Sequence, residues 1–330
     1  MKLLMYHVRD DELIATQRWM ASHPDVQVDT NTLPFNAETV ELAAGYDGIV
    51  LQQHGPLGAP AVYKRLHELG IKQITLRITG YEIVDLKAAA QFGLTVTNVP
   101  AYSPRSVAEL VLAHTMWLVR HLGITAAREA DHDFRWDGLE AAEIHNLTIG
   151  IIGAGKIGSA VARIFSALGA TVIAADPIHR PELADVLTYT THEDVFKTAD
   201  IITMHTPLTP DTTHMINAQT LKLMKPTAFL INASRGPVVD TPALVASLQA
   251  GEIAGAGLDT VEGDDQLVAQ DWRDKPLNNA PLTALLSMAN VNLSPHIGFY
   301  TDDAVANMVE IALDDVVRIV SGEQPRHAVV

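Results

Sequence analysis

A glycine-rich turn between an apolar strand and an amphipathic helix constrains this chain more than any other feature. The segment "LTIGIIGAGKIGSAVARIFSALGATVIAADP" places Gly153, Gly155 and Gly158 in the order G-x-G-x-x-G. In that context the pattern is a dinucleotide-binding fingerprint. The first glycine permits a tight turn, the second lets the backbone approach a pyrophosphate, and the third lets helix and strand pack closely. A glycine turn in some other βαβ unit is the alternative interpretation.

The residues around the glycines predict which dinucleotide binds. Backbone N–H groups near Lys156 and Ile157 would face the phosphates at the start of the helix. Asp176 lies at the end of the next strand, "TVIAAD", 18 residues after Gly158. A carboxylate there can accept hydrogen bonds from the adenosine ribose hydroxyls and would repel a 2'-phosphate, so the sequence favours NAD over NADP. The alternative for Asp176 is a turn residue before Pro177.

Two series of alternating strands and helices predict two α/β domains. The chain of 330 residues exceeds the size of one ordinary domain. Its first hundred residues alternate short apolar runs with amphipathic ones, and a second series begins near residue 147. This rhythm is typical of doubly wound parallel sheets covered by helices. We expect one domain to comprise residues 1–100 plus 300–330 and the other residues 101–299.

Two long helices accompany these domains. The stretch "YSPRSVAELVLAHTMWLVRHLG" predicts a helix with Ser103 as N-cap, Pro104 at its first position and Gly123 at its end. The C-terminal pattern "TDDAVANMVEIALDDVVRIVSG" predicts a helix that is capped by Thr301 and returns to the first domain.

Composition excludes several classes of function. The formal net charge of −16 opposes binding to nucleic acid or to an anionic membrane. No apolar run reaches the ~18 residues of a membrane span, and the N-terminal segment meets charged residues too soon for a signal peptide. The chain has no cysteine, hence no disulfide and no thiolate nucleophile. His132, His145 and His192 lack metal-ligand spacing, so we expect no metal site. A cytoplasmic enzyme is the expectation.

Four motifs in order resemble one enzyme family. They are the glycine fingerprint, "NASRGPVVD" with Arg235, "GLDTVEGD" with Asp259 and Asp264, and "SPHIGFY" with His296. Together they resemble the D-2-hydroxyacid dehydrogenase family, most closely its bacterial D-lactate and D-2-hydroxyisocaproate dehydrogenases. The resemblance covers nearly the whole chain, including "LRITG", "TNVPAYSP", "HDFRW" and "FYTDDAVANMV". It implies a flavodoxin-like catalytic domain, a Rossmann NAD-binding domain and a homodimer.

The chemistry of keto-acid reduction requires a particular set of side chains. Hydride delivery to a 2-keto carbon creates an alkoxide, so a proton donor and a fixed positive charge must lie at that oxygen. A histidine can exchange a proton near neutral pH, and an arginine offers a planar fork for carboxylate and carbonyl oxygens. A carboxylate beside the imidazole would orient it and favour its charged form. The resemblance implies these roles for His296, Arg235 and Asp264. Relatives carry Glu at the position of Asp264, and Glu262 is the alternative partner.

Further contacts are implied by the same resemblance. Backbone N–H groups of Thr79 and Gly80 would bind the substrate carboxylate, and Tyr102 would line the substrate pocket. The residues implied to contact NAD are Gly153, Gly155, Lys156, Ile157, Gly158, Asp176, Thr206, Pro207, Thr212, Ala233, Ser234, Arg235 and Asp259. Thr212 stands where relatives often carry Asn. His205 also ends a strand, where a structural role is at least as plausible as a catalytic one.

The expected reaction is reversible reduction of pyruvate or a larger 2-keto acid by NADH to the D-2-hydroxy acid, most specifically D-lactate formation. A D-2-hydroxyisocaproate or phenyllactate type of dehydrogenase is the first alternative. A formate dehydrogenase would lack the acid that partners the histidine, and a phosphoglycerate dehydrogenase would need more basic groups. An NAD-sensing binding protein of the same fold, like the transcriptional corepressors, is the alternative outside the enzymes. Arg235 as a surface turn residue and His296 as a strand-end residue are the structural alternatives.

Overall fold

The protein divides into two compact units. The computed structural model describes residues 1–53, 55–264 and 267–329. One unit comprises residues Met1–Ser103 and Tyr300–Val330, and the other comprises Pro104–Phe299. Each unit has its own apolar core on both faces of its own sheet.

The first unit is built on five parallel strands in the order β2-β1-β3-β4-β5. This is the flavodoxin-like strand order. The elements of the unit are β1 Lys2–Met5, α1 Asp10–Ser22, β2 Gln27–Thr30, β3 Gly48–Leu51, α2 Pro60–Glu68, β4 Gln73–Leu76, α3 Leu86–Gln91, β5 Thr95–Thr97 and α11 Asp302–Val320.

Alternation along the strands of this unit separates its two helical layers. Leu3 and Met5 of β1 pack in the same cluster as α1 and α11, whereas Leu4 packs in the cluster of α2 and α3. The C-terminal helix α11 belongs to the first unit. The side chain of Thr301 caps it by accepting a hydrogen bond from the backbone N–H of Ala304.

The second unit carries seven parallel strands in the order β12-β11-β10-β9-β6-β7-β8. From β8 inward this is the Rossmann order with one strand added at the far edge, so the predicted fold class of both units is confirmed. The elements are α4 Pro104–Val119, α5 Leu122–Ala130, β6 Thr148–Ile152, α6 Lys156–Ala167, β7 Thr171–Ala175, β8 Thr188–Tyr189, α7 His192–Thr198, β9 Ile201–Met204, α8 Ala218–Leu221, β10 Phe229–Asn232, α9 Thr241–Ala250, β11 Gly255–Leu258, α10 Ala280–Leu286 and β12 Val291–Leu293.

The first helix of the second unit ends earlier than predicted. It begins at Pro104 but stops at Val119, and His121 takes a left-handed φ of 53° before α5 begins. Gly123 therefore lies inside α5 and does not terminate α4. A Cβ at Gly123 would lie 2.1 Å from the Trp117 ring and 2.4 Å from the carbonyl oxygen of Ala289. The glycine is needed for close packing there, which a local C-cap rule does not detect.

Among the described residues, no single helix has both the length and the apolarity to cross a membrane; only α4 and α5 taken together, with a 57° bend between them, pass such a test.

Candidate active site

The three glycines of the fingerprint serve different structural purposes. Gly153 has a φ of +93°, and a Cβ there would lie 2.8 Å from the carbonyl oxygen of His205. A Cβ at Gly158 would lie 2.0 Å from the carbonyl oxygen of Gly153, so α6 packs directly on the turn. Gly155 is the N-cap of α6, and a Cβ there would meet nothing within 4 Å. Two glycines thus permit contact within the protein, whereas the third leaves open space.

This open space has the chemistry that a dinucleotide requires. Helix α6 begins at Lys156, followed by Ile157, and the N–H groups of a first helical turn have no partners within their own helix. At the end of the adjoining strand β9, Oγ1 of Thr206 and Nδ1 of His205 are buried and find no hydrogen-bond partner in the described part of the chain. Unsatisfied polar atoms beside an open glycine therefore fit the phosphates and ribose of NAD.

Asp176 is fixed at the edge of this loop. It follows β7, which ends at Ala175. One carboxylate oxygen accepts from the N–H of Ala154 and the other from the N–H of Ile178, both at 2.7 Å. The residue therefore makes the turn that was the alternative interpretation and also touches the glycine loop. A carboxylate oxygen can accept more than one hydrogen bond, so acceptance from ribose hydroxyls stays compatible with these contacts.

Neighbouring strands bring the other predicted residues of this unit to one edge of the sheet. Strands β9, β10, β11 and β12 are adjacent and parallel. Their carboxyl ends lead respectively to Thr206, to Ala233 and Ser234, to Asp259, and to His296. Ligands of doubly wound sheets bind at this end of the strands.

Arg235 is held by a residue that the sequence analysis did not single out. Asn232, at the buried end of β10, donates from Nδ2 to the carbonyl oxygen of Arg235 at 3.0 Å. Its Oδ1 accepts from the N–H of Ser234 at 3.1 Å and from the Ser234 hydroxyl at 2.8 Å. An Asn in the buried strand pattern "FLIN" was the available signal, because buried amides are nearly always hydrogen-bonded.

Gly236 joins the arginine turn to the acidic turn, and its role was also missed. A Cβ at Gly236 would lie 2.4 Å from both the carbonyl carbon and the carbonyl oxygen of Val261, and 2.7 Å from the backbone nitrogen of Glu262. Only a glycine allows this approach. The turn that carries Arg235 therefore lies directly against the segment that leads to Asp264.

Glu262 and Asp264 have different partners. Oε1 of Glu262 lies 2.9 Å from Nε2 of His214. Oδ2 of Asp264 instead accepts from the N–H of Val261 at 2.8 Å and so stabilises its own turn. Glu262 is therefore paired with His214.

The side chain of Asp259, which the resemblance implies to contact NAD, makes several hydrogen bonds within the protein. It is buried, and its Oδ1 accepts from the hydroxyl of Ser294 at 2.5 Å and from the N–H of Ile297 at 2.8 Å. Its Oδ2 accepts from the N–H of Gly298 at 2.8 Å. The N–H of His296 donates to the Asp259 carbonyl oxygen at 2.9 Å. This aspartate therefore organises the loop that carries His296, which has a left-handed φ of 57°.

Two residues of the β9 end have structural contacts. The hydroxyl of Thr212 donates to the carbonyl oxygen of Pro207 at 2.6 Å and accepts from the N–H of Thr209 at 2.8 Å, so it braces the turn that follows Thr206. Nε2 of His205 lies 2.9 Å from Oγ1 of Thr203. Burial lowers the pKa of His205 to about 3, so the ring is neutral at physiological pH and unsuited to proton donation.

The residues expected to bind the substrate carboxylate lie in the first unit. Thr79 donates from its hydroxyl to the carbonyl oxygen of Val99 at 2.8 Å, and its own carbonyl oxygen accepts from Nδ2 of Asn98 at 2.6 Å. The N–H groups of Thr79 and Gly80 have no acceptor among the residues that the structure describes. Tyr102 is half-buried, and its carbonyl oxygen accepts from Asn307 of α11 at 2.6 Å.

The chain is similar to known proteins in both sequence and structure. Residues 112–298 match the model of the D-isomer specific 2-hydroxyacid dehydrogenase NAD binding domain. The chain is 38% identical to a D-2-hydroxyacid dehydrogenase (NAD(+)) of Clostridioides difficile, with 97% of each chain covered. It is also 38% identical to an aromatic 2-oxoacid reductase of Clostridium sporogenes, over 95% of this chain and 94% of the relative. The solved structure of a D-lactate dehydrogenase from Sporolactobacillus sp. is 52% identical to this chain. The match covers 100% of this chain and 99% of that protein, with a TM-score of 0.90.

The glycine turn, the strand order and these matches agree over nearly the full length. The chain therefore belongs to the D-isomer-specific 2-hydroxyacid dehydrogenase family and is an NAD-dependent oxidoreductase.

Proposed function

We propose that this protein reduces a 2-keto acid to the D-2-hydroxy acid reversibly with NADH, and that pyruvate and D-lactate are its preferred pair. The observation that carries the proposal is the close packing at the carboxyl ends of β10 and β11. Asn232 and Gly236 hold the turn of Arg235 against the acidic segment, and Asp259 holds the loop of His296 on the next strand end. A cation, an acid and a proton donor thus occupy adjacent strand ends.

Each side chain has a separate task in this proposal. NADH, when bound, supplies the hydride that reduces the keto carbon. The guanidinium of Arg235 binds the substrate carboxylate and polarises the carbonyl oxygen, where negative charge develops. The imidazolium of His296 donates its proton to that oxygen and takes a proton back in the reverse reaction. Asp264 favours the protonated imidazole, and the N–H groups of Thr79 and Gly80 bind the carboxylate.

The choice of pyruvate rests on the relative with the higher identity. The solved structure at 52% identity is a D-lactate dehydrogenase, whereas the aromatic 2-oxoacid reductase is 38% identical. A panel of pyruvate, 2-ketoisocaproate and phenylpyruvate, followed by NADH absorbance, tests this choice. We expect the highest kcat/KM with pyruvate and, by chiral chromatography, D-lactate as the product.

A higher kcat/KM with a larger keto acid would favour the alternative substrates, and L-lactate as the product would contradict the proposal. Tight NADH binding without turnover of any keto acid would instead support an NAD-sensing protein.

Exposed aromatic residues support assembly with a second copy. In the segment "HDFRW", the side chains of Phe134 and Trp136 are 70% and 87% exposed. Large aromatic side chains that face solvent are typical of association surfaces. We expect a homodimer by light scattering coupled to size-exclusion chromatography. Trp136→Ser should increase the monomer fraction, whereas Ile14→Ser, at a residue 67% exposed in the first unit, should not.

A further inference from the structure

A hydrogen-bond chain runs from helix α4 to the loop that carries His296. Nε2 of His114 lies 3.1 Å from the hydroxyl oxygen of Ser294, and this hydroxyl donates to Oδ1 of Asp259 at 2.5 Å. His114 is 1% exposed and Asp259 is 3% exposed, so the chain is nearly free of solvent. A Cβ at Gly257 would lie 2.8 Å from the Cβ of His114, which shows how tightly α4 packs on β11.

The positions of the protons along this series of hydrogen bonds define the tautomer of His114. A serine hydroxyl has one proton, and Ser294 gives it to Asp259. The Ser294 oxygen must therefore accept at its contact with His114, so Nε2 of His114 carries a proton. Nδ1 of His114 is buried and has no partner among the described residues. Burial lowers the pKa of His114, and the opposing charge of Asp259 does not outweigh it. The ring is the neutral Nε2–H tautomer.

The far end of the chain is the His296 loop. The carboxylate of Asp259 accepts the N–H groups of Ile297 and Gly298, the two residues that follow His296. A left-handed φ at a residue other than glycine persists only where surrounding contacts hold it. These two hydrogen bonds and the one from His296 to the Asp259 carbonyl oxygen are such contacts.

We propose that His114 and Ser294 are positioning residues for His296. By hydrogen bonding in series they fix the rotamer of the Asp259 carboxylate, around which the His296 loop folds. The catalytic part of this inference rests on the proposed function, whereas the structural part does not. Neither residue touches the reacting atoms, so their effect is on the placement of the proton donor.

Kinetics of variants test the catalytic part. Ser294→Ala and His114→Leu should each lower kcat of keto-acid reduction by about tenfold, because a misplaced proton donor slows the chemical step. The KM for NADH should stay unchanged. Ser294→Thr and His114→Gln keep a donor at the same place and should restore kcat. The double variant Ser294→Ala with His114→Leu should be no slower than the worse single variant, because both changes break one chain.

A matched control exists in the same unit. The hydroxyl of Ser247 is buried in α9 without a partner in the described part of the chain, so Ser247→Ala removes a buried hydroxyl outside the network. It should leave kcat unchanged. Wild-type kcat in Ser294→Ala, strictly multiplicative effects in the double variant, or equal losses in Ser294→Thr and Ser294→Ala would each overturn the proposal.

Two measurements need no substrate. Hydrogen exchange of the Ile297 and Gly298 amides should become at least about tenfold faster in Ser294→Ala and stay unchanged in Ser247→Ala. Nitrogen NMR of His114 should show the Nε2–H tautomer at pH 7. Unchanged exchange or a doubly protonated His114 would overturn the positioning role. If the wild type reduced no keto acid while exchange responded as expected, the proposed function would fail and the network would stand.

Discussion

Asp176 makes two hydrogen bonds to backbone, and we propose that its charge selects the cofactor. It accepts from Ala154 in the glycine loop, so it stabilises that loop. We expect the wild type to prefer NADH to NADPH strongly, because the carboxylate repels a 2'-phosphate. Asp176→Ala should lower kcat/KM with NADH by about tenfold or more, because charged hydrogen bonds are lost. It should also reduce the preference for NADH over NADPH. The control is Asp185→Ala, at an exposed acid of the same unit. Equal wild-type kcat/KM with both cofactors would contradict the assignment.

Asp264 and Glu262 are separated by one residue, and we predict different roles for them. If Asp264 lies beside the imidazole of His296, its charge raises the pKa of the proton donor. Reduction needs the protonated ring and is lost as pH rises through that pKa. Asp264→Asn should therefore move the high-pH fall-off of kcat/KM to lower pH, and Asp264→Glu should stay active. Glu262→Gln should change little, because Glu262 pairs with His214. The reverse pattern, measured in the same pH profiles, would assign the role to Glu262.

At the scale of elements, a buried ion pair connects Arg77, the residue that follows β4, to α1 in the first unit. Nε of Arg77 donates to Oε1 of Glu12 at 2.9 Å, and both side chains are fully buried. Burial lowers the pKa of Arg77, while Glu12 opposes this effect. Arg77 also donates to the carbonyl oxygen of Tyr6. The chain then continues through Ile78 to Thr79 and Gly80, so this pair anchors the start of the predicted carboxylate loop.

Breaking this pair should destabilise the protein strongly. Glu12→Ala leaves a buried, uncompensated guanidinium, which typically costs about 3 to 5 kcal/mol in the free energy of unfolding. Urea denaturation followed by circular dichroism measures the change. The control is Glu41→Ala, which breaks the solvent-exposed pair with Arg65 and should leave the urea midpoint unchanged within error. Similar midpoints for the two variants would show that the buried pair contributes no more than a surface one.

For the molecule as a whole, the buried neutral ring of His205 predicts that the protein loses stability at acidic pH. Burial lowers the folded-state pKa of His205 from 6.5 to about 3. Between these values the unfolded chain binds a proton that the folded protein does not, so stability falls as pH falls from about 6.5 towards 3. From pH 7 to pH 5 this single group contributes a loss of at most ~2 kcal/mol. Urea midpoints at the two pH values should differ less in His205→Asn than in the wild type. His192→Asn, at an exposed helix start, should keep the wild-type difference.

The sequence alone determined the features that depend on local periodicity and short motifs. Alternation of apolar strands with amphipathic helices predicted both parallel sheets, and the glycines with Asp176 predicted NAD, because these signals lie within a few consecutive residues. Thr301 was identified as a cap for the same reason. Element ends were less predictable, as α4 shows: it stops at Val119, and Gly123 instead packs against Trp117 and Ala289 from within α5, contacts that no local rule contains.

Tertiary structure decided which of the candidate residues act through other residues. In sequence, Asp259 is one of several carboxylates, and only the adjacency of β11 and β12 places its oxygens at the amides after His296. Gly236 is an ordinary turn glycine until β10 and β11 bring Val261 against it. Asn232, Ser294 and His114 acquired roles in the same way. Hydrogen bonds and close contacts between distant segments depend on distances that a parallel sheet sets across strands, and a linear pattern holds no measure of those distances.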